Sequence, residues 1–334
     1  SFKIDAGSGQ ILLHGKGNGR PAIANENGGF AMTSSSVSEP AIEFKAESNT
    51  NPIQLARVLG SANAIIQSTS SSGGGILFDV THTTNTNNTA IGMVFNDTGQ
   101  SGTLQLLSAA GTIKLETNAN IRLEGDVYLG NRRNSTPING ITPSVSSSTS
   151  DIEILTNEID ETSGDKFNIS TKGKLKIAPT TSWTSDFVVG TVLNLTGSVS
   201  SDNYTGSSEA GWLSIQNISN LTGLTLNKDG ATTGVVLSFP ASIDGPVRLY
   251  GSRSQLTEDL TITKANSSLL MKASNDVYIG NDVNVQTNGG DIVFWANAVD
   301  ENTSSHISMD DGVTLNSING STSTGLSGGG DIIL

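Results

Sequence analysis

No cysteine occurs in the 334 residues, which excludes disulfides, thiolate catalysis and cysteine-ligated zinc or iron–sulfur centres. Proline is sparse, with 8 in the whole chain, so few strand ladders would lose a donor. Aromatic residues make up 5 % of the chain, which leaves ring stacking to a handful of positions. Positive charge is scarce as well. The 18 Lys and Arg stand against 31 Asp and Glu, a formal charge of −13, and this argues against nucleic acid as a partner. No apolar run approaches the ~20 residues that span a bilayer as a helix, so helical membrane insertion is not expected. No signal peptide is visible at Ser1, and the chain stops in mid-pattern at Gly328-Gly-Gly-Asp-Ile-Ile-Leu334. The expectation is therefore a mature or excised piece of something longer.

What fills the chain instead is a short alternation of apolar and polar residues, punctuated by Gly, Asn and Ser. It recurs as Ala41-Ile-Glu-Phe44, Pro52-Ile-Gln-Leu55, Ala64-Ile-Ile-Gln67, Gly75-Ile-Leu-Phe78 and Ala90-Ile-Gly-Met-Val-Phe95. It continues as Thr103-Leu-Gln-Leu106, Thr112-Ile-Lys-Leu115, Asn120-Ile-Arg-Leu123 and Asp126-Val-Tyr-Leu129. Each run has strand length, period two and β-branched residues, with turn formers between. Disordered chains lack such clusters. A helical look is confined to the stretch from Ile53 to Ala64, which carries Gly60. The fold class expected is all-β.

Short strands at this spacing suit antiparallel sandwiches or a parallel solenoid. Three features favour a parallel β-helix (β-solenoid) with irregular loops. Hairpin dipeptides (Asn139-Gly140, Asp229-Gly230, Asp244-Gly245, Asn319-Gly320) are too few to serve every turn. Many strands share one frame, as stacked repeats require. Gly125-Asp-Val-Tyr-Leu-Gly-Asn131 also recurs as Asn275-Asp-Val-Tyr-Ile-Gly-Asn281, and Asp291-Ile-Val-Phe294 recurs as Asp331-Ile-Ile-Leu334. In such a fold Ile, Val and Leu point inward, glycines turn corners, and asparagines stack at corners as hydrogen-bonded ladders. Residues 1–131 read as one β-repeat segment and 132–150 as a Ser/Thr-rich linker or extruded loop. Residues 151–334 read as a β-helix segment that continues beyond the C-terminus.

The later part of the chain resembles a known family. Lys172-Gly-Lys-Leu-Lys-Ile-Ala-Pro179, Leu221-Thr-Gly-Leu-Thr-Leu-Asn-Lys228 and Gly245-Pro-Val-Arg-Leu-Tyr-Gly251 resemble frames of the giant secreted repeat adhesins of Bacteroidota. Thr287-Asn-Gly-Gly-Asp-Ile-Val-Phe-Trp-Ala296, Asp311-Gly-Val-Thr-Leu-Asn-Ser317 and Gly328-Gly-Gly-Asp-Ile-Ile-Leu334 do so too, and are similar to filamentous-haemagglutinin-like β-helices. The resemblance spans roughly residues 165–334. It implies a β-helical stalk, type IX or two-partner-like secretion, an extracellular cell-surface location and a role in adhesion or gliding. Its partners would be a glycan or matrix ligand and further repeats of the parent chain. Residues 1–130 also look like phage tail-fibre repeats.

Chemistry-bearing residues are thin on the ground. His14, His82 and His306 form no metal-type spacing and read as surface or loop histidines. Acid pairs stand at Asp160-Glu161, Glu258-Asp259 and Asp310-Asp311. Such pairs serve glycoside hydrolysis when two carboxyls face one bond, but read more plainly as solvated turn acids. With no catalytic set visible, the chain is expected not to be an enzyme and to need no cofactor. Calcium is the one cation that turn aspartates Asp126, Asp276, Asp291, Asp310, Asp311 and Asp331 suit, with Asp310 and Asp311 as the candidate ligands. Trp295 follows an inward-facing frame and is the candidate glycan contact. Gly15-Lys-Gly-Asn-Gly19 lacks the setting of a phosphate loop and reads as a turn. Three functions remain open: a non-catalytic structural or adhesive surface module, a secreted β-helix enzyme that degrades polysaccharide, and a phage tail-fibre or tailspike segment.

Overall fold

The computed structural model describes residues 2–25, 29–55, 63–84, 90–95, 103–161, 165–180, 187–189, 213–215, 218–298, 305–318 and 329–334. The fold is all-β. Among these residues the only helical element is the three-residue 3-10 turn Ile218–Asn220. The nine runs picked out between residues 41 and 130 all fall on strands. The helical-looking stretch is strand at Ile53–Leu55, and its residues 56–62 lie outside the described residues. The Asn319-Gly320 dipeptide lies outside them as well.

The chain forms two compact units: Ser1–Gly173 with Gly211–Gln216, and Lys174–Ala210 with Asn217–Leu334. In the first unit, successive strands visit three sheets in turn, so that every third strand pairs, always in parallel. One sheet contains Phe2–Asp5, Phe30–Ser34, Ala64–Ser68, Leu104–Ser108, Val127–Gly130, Phe167–Ser170 and Leu213–Ile215. The next contains Ile11–Lys16, Ile42–Ser48, Gly75–His82, Thr112–Thr117 and Ile152–Leu155. The last contains Ile23–Ala24, Ile53–Leu55, Ile91–Phe95, Asn120–Leu123 and Ile159–Glu161.

Alternation along one strand shows why the sequence folds this way. In Ile42–Ser48, Ile42, Phe44, Ala46 and Ser48 are buried while Glu43, Lys45 and Glu47 face outward. Parallel register then stacks like on like. Ile11, Ile42, Ile76, Ile113 and Ile152 form one column. Ile4, Met32, Ile66, Leu106, Leu129, Ile169 and Ile215 form another. Each inward residue buries its apolar surface against the paired strands on either side, at about 25 cal/mol per Å² removed from water.

The Ser and Thr content is explained at the corners. Ser34, Ser68 and Ser108 stack in register and are buried. The Ser34 hydroxyl donates to the Gly9 carbonyl at 2.6 Å, and Ser68 accepts from the Gly75 amide at 3.1 Å. Short hydroxylated side chains thus satisfy backbone groups that a turning chain leaves unpaired. The expected asparagine contacts occur too: Asn49 Nδ2 donates to Asn18 Oδ1 at 3.1 Å, and Asn157 Nδ2 to the Asn118 carbonyl at 2.9 Å.

The stretch expected as a linker or extruded loop, 132–150, belongs to the first unit. Its Ile138, Ile141 and Val145 pack on the outward residues Ala31, Ile65 and Leu107. Asn139 and Gly140, with φ of 47° and 76°, make the tight turn between Ile138 and Ile141 that the dipeptide predicts.

The second unit is also built from parallel pairs, but there many strands pair with the next but one in the chain. Lys174–Ala178, Gly223–Leu226, Val247–Leu256, Leu269–Ile279, Ile292–Trp295 and Ile332–Ile333 pair in parallel. The latter halves of the two long strands pair with Val235–Leu237 and Ile307–Met309. Ala241–Ile243, Leu260–Ile262, Asn284–Thr287 and Thr314–Asn316 make a further parallel sheet. The recurrence of Asp291-Ile-Val in Asp331-Ile-Ile is a true pairing, with Ile292 beside Ile332.

Candidate functional site

The long strands Val247–Leu256 and Leu269–Ile279 each change course once, with a register shift between Gly251 and Arg253. Past the shift, Ser254, Leu256, Val277 and Ile279 point into the core. Period two then sends Arg253, Gln255, Asp276 and Tyr278 outward. Arg253 lies beside Asp276, Gln255 beside Tyr278, and Tyr278 beside Ser308 on the next strand.

Asp276 is the centre of this patch. Its Oδ2 lies 3.3 Å from Arg253 Nη2, and its Oδ1 accepts the His306 backbone amide at 3.1 Å. His306 Nδ1 is 3.3 Å from the same Oδ1. Next to it, the Tyr278 hydroxyl donates to Asp310 Oδ2 at 2.5 Å. That bond holds the phenol above its usual pKa because it favours the protonated form, and burial and the Asp310 charge add to the effect. Arg253, Gln255, Asp276, Tyr278, His306 and Ser308 line a surface cavity of about 270 Å³.

Trp295 ends the strand Ile292–Trp295 and faces outward with half of its surface exposed, as its frame predicts. It completes an in-register column with Tyr250 and Lys272. The Lys272 ammonium sits 4.6 Å from the indole centre and 2.7 Å from Asp229 Oδ2. One cation therefore ties down the ring and fixes its orientation.

The turn aspartates have a structural employment. Asp126 Oδ1 accepts the Lys166 amide at 3.3 Å, Asp259 Oδ1 the Asn284 amide at 2.7 Å, and Asp291 Oδ1 the Asp331 amide at 2.9 Å. Each carboxylate at a strand entrance thus caps the strand of the next round. Asp310 is occupied by Tyr278, and Asp311 accepts the Asp282 amide through its backbone carbonyl at 2.9 Å. Among the described residues no three His, Asp or Glu side chains gather as a metal-holding group.

The histidines separate. His14 and His306 are exposed, but His82, expected at the surface, is buried. Its backbone amide donates to Asn118 Oδ1 at 2.8 Å, and no partner to its Nδ1 occurs among the described residues. Arg253 carries no motif of its own and is absent from the sequence candidates, and His306 is read there only as a surface or loop histidine. The one signal that points to them is the duplicated Asp-Val-Tyr, whose neighbours in space they are.

No helix among the described residues is long and apolar enough to cross a membrane. Comparison with known proteins gives no matching family model, no matching curated protein and no matching solved structure.

Proposed function

We propose that this chain is a non-catalytic, extracellular structural and adhesive module, a parallel β-helix from a large cell-surface repeat protein that engages glycans. The observation that carries the reading is the strand order of the first unit, in which every third strand pairs in parallel and stacks one residue type upon itself. Such an arrangement grows by adding repeats and presents extended outer faces, which suits a stalk that also binds. The exposed, lysine-anchored Trp295 supplies a flat apolar surface for a sugar ring. Asp310 and Asp311 are the calcium ligands this reading would use.

A screen of glycans and polysaccharides that records binding and product release, with and without a calcium chelator, tests it. Binding without cleavage, weakened at least tenfold by Trp295→Ala, is the expected result. A second reading, a secreted polysaccharide-degrading enzyme, draws on the convergence of Arg253, Asp276 and His306 across neighbouring strands. Released product would establish it and overturn the first.

A further inference from the structure

The two copies of Asp-Val-Tyr meet different fates. In the first unit Tyr128 is 3 % exposed, and Arg133 of the chain's own segment 132–150 lies over its ring. The Arg133 guanidinium sits 5.1 Å above the Tyr128 ring, and the Arg133 amide donates to Gln105 Oε1 at 3.0 Å. Gln105 and Tyr128 are strand neighbours, as Gln255 and Tyr278 are in the second unit. The same glutamine–tyrosine pair therefore holds a planar polar group and a hydrogen-bond donor in one unit and faces the open 270 Å³ cavity in the other.

From this we infer that the cavity of Arg253, Gln255, Asp276, Tyr278, His306 and Ser308 is a binding subsite for one uncharged pyranose residue of a neutral glycan. The inference rests on the glycan-binding reading above and names the ligand class and a second place of contact. Three features select that class. The lining offers donors and acceptors together, a guanidinium, a carboxylate, a carboxamide, an imidazole and two hydroxyls, as adjacent sugar hydroxyls require. Its guanidinium is already matched by the Asp276 carboxylate, so Arg253 is not a free cation awaiting a uronate. Asp310 beside Tyr278, on a chain of net charge −13, repels acidic sugars further. A peptide like segment 132–150 fits less well. In the first unit that segment rests its apolar residues on Ala31, Ile65 and Leu107, whereas Tyr278 is flanked by Arg253, Asp276 and His306.

The subsite also has the rigidity that recognition needs. All of its groups but His306 stand on paired strands, and the Asp276 carboxylate is fixed by backbone and side-chain bonds before any ligand arrives.

The test is titration calorimetry of the whole chain with cello-, malto-, manno- and xylohexaose, with a galacturonate hexamer and with a peptide of sequence 132–150. Asp276→Asn keeps the oxygen that accepts the His306 amide, and Gln255→Ala alters an outward side chain, so both leave the fold in place. At least one neutral hexamer is expected to bind, at least tenfold more weakly in both variants, while the galacturonate hexamer binds at least tenfold more weakly than the neutral one. Neutral binding that is lost in Trp295→Ala but unchanged in both cavity variants would overturn the subsite and leave the glycan reading standing. Preference for the galacturonate or the peptide would overturn the ligand class. Binding of none of these would sink the subsite and the glycan reading together.

Discussion

Phe44 and Phe78 lie ring upon ring, 4.5 Å between centroids and 4° from parallel, as partners in adjacent strands of one sheet. Phe95 meets Phe78 edge-on at 5.7 Å, so the second ring is held on two sides. Both partners of Phe78 are fully buried. Truncation there removes apolar surface and leaves a cavity that strands tied on both edges cannot close. Phe78→Ala is expected to cost about 3–5 kcal/mol and Phe78→Leu distinctly less, read from urea unfolding midpoints at constant slope.

Gly75 opens its strand at φ +102°, and a Cβ placed on it would stand 2.5 Å from the Thr112 carbonyl oxygen. Strain and collision with a paired backbone act together at this corner. Gly19, at φ +71°, would carry a Cβ with nothing within 4 Å, so only the strain remains. Thermal melts should show Gly19→Ala losing about 1–2 kcal/mol, the ordinary penalty for a side chain at such a φ. Gly75→Ala should lose clearly more, and equal losses would mean that the corner can relax.

Strands and their stacking were legible from residues alone because period two and parallel register leave a repeating trace. Ile42, Ile76 and Ile113 head similar frames in the sequence and lie side by side in the structure. The candidate site was legible only in part. Trp295 declared itself by following an inward-facing frame, and Asp276 by its duplicated motif. Arg253 and His306 did not, since Arg253 reaches Asp276 across a register shift and His306 reaches it from just before the strand Ile307–Met309. Nor does any local pattern reveal that Tyr128 is sealed while Tyr278 faces a cavity. The covering segment is polar in composition, and its apolar contacts with the sheet come from Ile138, Ile141 and Val145.

Burial holds the His82 imidazole below the usual histidine pKa. Above about pH 6.5, the unfolded value, both states carry it neutral and its contribution to stability is fully present. As the pH falls below that value the unfolded chain takes up the proton first. Stability drops until the folded pKa is passed. His82→Gln removes this dependence. Urea midpoints at pH 7.5, 6.5 and 5.5 should therefore fall less steeply in His82→Gln than in the parent chain, and parallel slopes would refute the assignment.

The central claim is that in the first unit strands separated by two others in the chain lie side by side in parallel, and the absence of cysteine allows it to be tested by crosslinking. Glu43 and Leu77 both face outward and are register partners. Parallel neighbours about 4.8 Å apart fall within the Cα separation of roughly 4.4–6.8 Å that a disulfide accepts, whereas a pair two residues out of register does not. Mild oxidation of the folded Glu43→Cys/Leu77→Cys chain should give a quantitative intramolecular disulfide, and Glu43→Cys/Asp79→Cys should remain reduced. A bond in the second pair alone, or in neither, would contradict the stacked parallel arrangement on which the structural and adhesive reading stands.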